Sequence, residues 1–108
     1  MQYFPDMEYA QEVFKEIFRL LKSGGCVSIM DICDAEKQKG YHDFRRANSD
    51  NPTEYDEKYN NLRHAFYSKI WVTDCLEAVG FECVELFDHS VEEYLNGQFR
   101  FNVFMRKA

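Results

Sequence analysis

A chain of 108 residues has room for one domain and one core, and its 45% hydrophobic content, with ten Phe and seven Tyr, supplies the apolar area that so small a core needs. Nineteen acidic residues against thirteen basic give a net charge of −6, which argues against nucleic acid or an anionic membrane surface as a partner. The sequence shows no basic leader with an apolar stretch behind it and no run approaching the roughly 20 apolar residues of a membrane span, so the expected compartment is the cytoplasm.

Asp6, after Phe4-Pro5, is a good N-cap, and Ala10, Val13, Phe14, Ile17, Leu20 and Leu21 recur at helical spacing up to Lys22. Ser23-Gly24-Gly25 ends this amphipathic helix. Residues 26 to 32, Cys-Val-Ser-Ile-Met-Asp-Ile, are nearly continuously apolar, the pattern of a strand covered on both faces in the middle of a sheet. Residues 34 to 66 are polar and charged with Tyr and Phe interleaved, and they break at Asn48-Ser49-Asp50-Asn51-Pro52. One helix is expected from Asp34, its N-cap, to Ala47, and a second from near Pro52-Thr53 with Tyr55, Tyr59 and Leu62 on one face. Neither has the apolar surface of a core helix, so the region reads as a lid or an interface.

Ser68 caps a short helix carrying Trp71, Val72, Cys75, Leu76 and Val79, and Gly80 closes it. Glu82 to Phe87 reads as a strand, and Phe99 to Arg106 as another, antiparallel to it. On the last strand Phe99, Phe101, Val103 and Met105 share one face, and Arg100, Asn102, Phe104 and Arg106 the other. The connection between these strands holds an Asn96-Gly97 turn signal but is longer than a tight hairpin. Cys26, Cys33, Cys75 and Cys83 lack the spacing of a zinc site, so no metal is expected. Cys26, Cys75 and Cys83 sit in apolar segments and read as buried free thiols.

The order of these motifs resembles the C-terminal half of class I S-adenosylmethionine-dependent methyltransferases. Phe18-Arg19-Leu20-Leu21-Lys22-Ser23-Gly24-Gly25 is similar to the stretch that precedes the fifth strand of that family, with Ser23 for the usual proline. Ala78-Val79-Gly80-Phe81 matches the "A-G-F" before the sixth strand, and Gln2-Tyr3-Phe4-Pro5-Asp6 resembles the segment after the fourth strand. The resemblance implies an α/β fold: a partial Rossmann-like sheet of about three strands, the final one antiparallel and inserted between the other two. Flanking helices and the helical lid of residues 34 to 66 complete a single partial domain over 1 to 108. The family's cofactor site uses a glycine-rich turn that leaves a strand and opens a helix, whereas Gly24-Gly25 closes a helix and enters a strand. S-adenosylmethionine is thus implied for the parent family and is not expected to bind this chain alone, which reads as a truncated domain, either a cut piece or a broken reading frame.

Ligands of open α/β sheets bind beyond the carboxyl ends of the parallel strands, which puts Tyr3 and residues 31 to 34 on that edge. Asp31 either orients a substrate or catalytic group or hydrogen-bonds a loop. His64, beside aromatics and with an ordinary pKa near 6.5, is the candidate base if the methyl acceptor must lose a proton, and the alternative is a structural histidine. His42 and His89 look like surface or loop residues. Tyr41 and Tyr67, with Tyr55 and Tyr59, either wall a small-molecule cavity or simply pack, and Arg100 and Asn102 either anchor a polar substrate group or face solvent.

Three readings compete. The first is the enzyme portion just described, inactive without its missing half. The second is a non-catalytic module or remnant that self-associates as a homo-oligomer through the unpaired strand 26 to 32. The third is an unrelated small α+β domain. The order of the three strands separates the first from the third.

Overall fold

In a computed structural model, residues 1–47, 65–88 and 98–108 are described. Helix α1 (Met7–Leu20) starts where Asp6 Oδ1 accepts the Tyr9 N–H at 2.8 Å, as its cap position predicts. Strand β1 (Cys26–Cys33) follows a turn in which Gly24 takes a φ of 81°. A 3-10 turn (Ala35–Lys37) capped by Asp34 leads into α2 (Gln38–Ala47). Helix α3 (Lys69–Val79) is capped by Ser68 and closed by Gly80 at φ 123°, and strands β2 (Glu82–Asp88) and β3 (Arg100–Arg106) complete the described elements. The helix expected from Pro52, with Tyr55 and Tyr59, and the turn at Asn96-Gly97 lie outside the described residues.

The three strands form one sheet in the order β1-β3-β2, with β3 antiparallel to both neighbours. The last strand therefore lies between the other two, and β1 and β2 run parallel to each other on either side of it. The fold is α/β, with a three-stranded sheet and helices.

The main core forms where Phe101, Val103 and Met105 of β3 and Ile32 of β1 meet Ala10 and Phe14 of α1 and Val72 and Leu76 of α3. The helical periodicity of α1 and the strand alternation of β3 place these side chains on facing surfaces. A second, smaller cluster of Cys33, Tyr41, Phe66 and Phe99 seats α2 at the far end of β1.

Four expectations are corrected. β1 is not covered on both faces: its side chains alternate up to Asp31, with Cys26, Ser28 and Met30 exposed and Val27 and Ile29 half-buried. It is an edge strand, and no helix among the described residues lies over the Cys26–Met30 face. Cys26 on β1 and Cys83 on β2 are exposed thiols and Cys75 is half-buried, while Cys33 is the buried one, and all four cysteines are free. Phe99 does not share the face of Phe101; it precedes the strand and packs against Tyr41 and Phe44 in the second cluster. His42 is half-buried rather than fully on the surface: its ring sits 5.4 Å from that of Tyr41 and 5.5 Å from that of Phe66.

Burial pushes the His42 imidazole below its ordinary value, with Asp43 pulling it up and Arg46 pushing it down. The unfolded chain therefore binds this proton more readily than the folded one, and His42 favours folding above its ordinary pKa of about 6.5. That stability is lost as pH falls through the lower folded value. Chemical denaturation from pH 7.5 to 5 is expected to show a falling midpoint that flattens in His42→Phe; equal slopes in both proteins would contradict this.

Candidate functional site

Strand β1 carries a bulge between Ile29 and Ile32, where two residues face one on β3. At its second position Asp31 takes a φ of 66°, a left-handed conformation that Asp tolerates better than most residues but at some cost. Two side chains from β3 hold it there. The Asp31 N–H, turned away from the regular ladder, donates to Asn102 Oδ1 at 2.8 Å. Arg100 Nη1 lies 3.3 Å from Asp31 Oδ2 and donates to the Asp31 carbonyl at 3.4 Å. The same nitrogen donates to Gln2 Oε1 at 3.3 Å, and the guanidinium lies over the Tyr41 ring at 5.8 Å.

Arg100 and Asn102 are 3% and 4% exposed, so neither faces solvent. The Arg100 Nε is buried without a hydrogen-bond partner among the described residues. Asp31 is a third exposed, which leaves a carboxylate that is fixed by protein groups on one side and reachable by solvent on the other. A buried guanidinium, a side-chain amide and a partly open carboxylate of this kind can orient a small polar molecule through hydrogen bonds. Strain in the Asp31 backbone at such a place is the pattern of a site held ready by its surroundings.

The structure thus brings together Asp31, Arg100, Asn102 and Tyr41 of the sequence-derived candidates. Tyr67 lies at the adjoining end of β1, fully buried, with its hydroxyl donating to the Met1 carbonyl at 3.1 Å. Burial, with smaller contributions from Cys33 and Asp6, pushes its phenol up to about 12, so it serves here as a neutral donor. Tyr3 is 70% exposed and stands apart from the Arg100 hydrogen bonds, which its neighbour Gln2 reaches instead. His64 lies outside the described residues. Gln2 is not a candidate that the sequence offers, since no spacing or charge pattern marks it.

A second ionic group, also unforeseen, closes the same end of the sheet. Asp34 is fully buried; its Oδ1 accepts the Glu36 N–H at 3.0 Å, while Oδ2 lies 3.7 Å from Lys69 Nζ and 4.0 Å from Lys37 Nζ. Lys69 also donates to Asp88 Oδ1 at 2.9 Å, and Lys37 lies 3.8 Å from the same oxygen. The hydrogen bond from Lys69, with Lys37 and Lys69 as further positive charges, holds the Asp88 carboxyl below its ordinary value of 3.8, and the bond to Asp88 raises Lys69. Four elements meet here: the end of β1, the 3-10 turn, the start of α3 and the end of β2.

Asn102→Ala removes the acceptor of a strained amide in a buried setting and is expected to cost about 1–3 kcal/mol. Faster hydrogen exchange of the Asp31 amide, ahead of its strand neighbours, is the accompanying signature.

Among the described residues, no group of three His, Cys, Asp or Glu is arranged to hold a metal ion, and no helix is long and apolar enough to cross a membrane. A Cβ on Gly25 would meet the Lys22 carbonyl oxygen at 2.8 Å and Leu21 Cγ at 2.9 Å, whereas one on Gly24 would meet nothing within 4 Å. In comparisons with known proteins, no family model matches the chain and no curated protein matches its sequence.

Proposed function

We propose that this chain is the C-terminal, substrate-side portion of a cytoplasmic class I S-adenosylmethionine-dependent methyltransferase acting on a small molecule. The observation that carries the reading is the strand order, with the final strand reversed and inserted between two mutually parallel strands. The polar site adds support, because Asp31, Arg100 and Asn102 gather near the carboxyl end of β1, where open α/β sheets bind their ligands. Four free thiols agree with a reducing compartment.

In this reading Arg100 and Asn102 fix the carboxylate and backbone of Asp31, and Asp31 accepts a hydrogen bond from an amine or hydroxyl on the methyl acceptor. Positioning of this kind is the main demand of an in-line displacement. The methyl donor is not held by these residues, since no strand-to-helix glycine turn is present among the described residues, and the chain by itself is inactive. Titration calorimetry with S-adenosylmethionine, and with S-adenosylhomocysteine as second ligand, is expected to give no saturable heat up to millimolar ligand. Saturable micromolar binding would overturn this division of the site between two portions.

A further inference from the structure

The two edges of the sheet are finished differently. β2 displays Glu82, Glu85 and Asp88, all exposed, and its ladder is interrupted between Glu82 and Glu85, where Cys83 has a φ of 52°. Charges and bulges of this kind keep an edge from pairing with another chain. β1 has none of them from Cys26 to Ile29: the segment holds no charge and no proline, and its register with β3 is unbroken. From Met30 the bulge with Asp31 intervenes, and the Asp34–Tyr67 bridge occupies the chain beyond it.

The direction of the backbone groups is set by the ladder. Lys107 N–H donates to the Gly25 carbonyl at 2.9 Å, and pairing continues through Val27↔Met105 and Ile29↔Val103. In an antiparallel ladder successive residues turn alternately toward and away from the partner strand. The Gly25 carbonyl and the amides and carbonyls of Val27 and Ile29 thus turn to β3, and Cys26 and Ser28 turn theirs outward, while the Gly25 N–H donates to the Lys22 carbonyl at 2.8 Å. No strand among the described residues receives them.

We infer that the outer edge of β1 pairs antiparallel with β1 of a second copy of this chain, about a twofold axis at Ser28, joining two three-stranded sheets into one. An axis at Ser28 sets the regular segment against itself: Ser28 faces Ser28, Val27 faces Ile29, and Cys26 meets Met30 at the start of the other copy's bulge. An axis at Val27 or Ile29 runs one end of the segment into the Gly24-Gly25 turn or the Asp31 bulge. The segment complements itself because it carries no charge to set against its own copy, and Val27 opposite Ile29 continues the apolar layer beneath the helices. The exposed Met30 side chain, 62% accessible, is partly covered by the other copy.

Ser28→Pro separates the dimer from the fold, since it removes an N–H that the single chain turns to solvent, and an edge strand accepts proline in that setting. In sedimentation at about 100 µM, a concentration at which a modest association is populated, the wild-type chain is expected to have twice the 12.9 kDa mass of one chain, and Ser28→Pro the mass of one with unchanged circular dichroism. In the wild-type protein the Cys26 and Ser28 amides are expected to exchange more slowly as concentration rises, a readout that decides the matter even if the proline variant does not fold. A wild-type chain monomeric at that concentration, a proline variant that still dimerises, or exchange at Ser28 independent of concentration overturns the inference. Pairing only with an added polypeptide overturns the choice of a second copy. None of these outcomes depends on the methyltransferase reading, which cofactor titration tests separately.

Discussion

Arg100→Met is expected to destabilise the protein by about 3 kcal/mol, the largest loss at any polar position in the site. The Met side chain fills most of the volume but leaves the Asp31 carboxylate, the Asp31 carbonyl and Gln2 Oε1 without the nitrogen that serves all three. Removing one partner of a buried ion pair commonly costs about 3–5 kcal/mol, and the lower end applies because Asp31 is partly open to water. The loss of the guanidinium over Tyr41 adds to the cost and loosens the seat of α2. In urea denaturation the midpoint is expected to fall at an unchanged slope; for a domain of this size the melting temperature drops on the order of 15 °C. Arg100→Lys keeps the charge but lacks the planar fork, and is expected to recover less than half of the loss. A change below about 1 kcal/mol in Arg100→Met would mean that the cluster is not the structural hinge of the site.

Asp34→Ala is expected to cost about 2–3 kcal/mol. The loss of a capping oxygen accounts for about 1 kcal/mol, and the rest comes from leaving Lys37 and Lys69 without the buried carboxylate between them. Asp34→Asn keeps an oxygen for the Glu36 N–H and should lose about half as much. A double-mutant cycle with Lys69→Met isolates the ionic share, and additive effects would assign the whole cost to the cap. The Asp88 pair responds to pH separately. With a folded value held below 3.8, Asp88 favours the fold above that value and loses its contribution as pH falls through the lower folded one. Because Asp88 is 62% exposed, this contribution is small next to that of Asp34.

Features set by short-range rules are readable from the residues alone. Asp6 and Ser68 cap the helices that their positions predict, Asp34 caps a 3-10 turn in place of the expected single helix to Ala47, and Gly80 closes α3 with the positive φ that glycine supplies. The alternation of β3 places Arg100 and Asn102 together on the face opposite Phe101, although charge and polarity give no sign that both are buried. The order of the strands matches the arrangement implied by the order of motifs along the chain.

The features that cannot be read this way depend on contacts between distant segments. The near-continuous apolar run of 26 to 32 predicts a strand covered on both faces, yet one face is open. Cys, Ser and Met are small or adaptable enough to stand on an open face, so the run does not distinguish the two situations. Phe99 follows the period of the strand but sits just before it, where a turn directs the ring to Tyr41 instead. Gln2 reaches Arg100 across 98 positions, and Lys69 reaches Asp34 and Asp88 from a different element than either, so no local pattern announces them. The strained Asp31 backbone comes from the bulge, which is a property of the pairing with β3 and not of the strand sequence.

In the proposed enzyme Asp31, held by Arg100 and Asn102, meets the methyl acceptor while the donor binds elsewhere. Amide chemical-shift mapping probes this division, with a set of small amines and alcohols in one series and S-adenosylmethionine in another. Some acceptor-type molecules are expected to shift the amides of Asp31 and Asn102 in the wild-type protein but not in Arg100→Lys, and S-adenosylmethionine is expected to shift neither. Saturable shifts from S-adenosylmethionine at these amides, or acceptor shifts that map away from Asp31 and persist in Arg100→Lys, would contradict it.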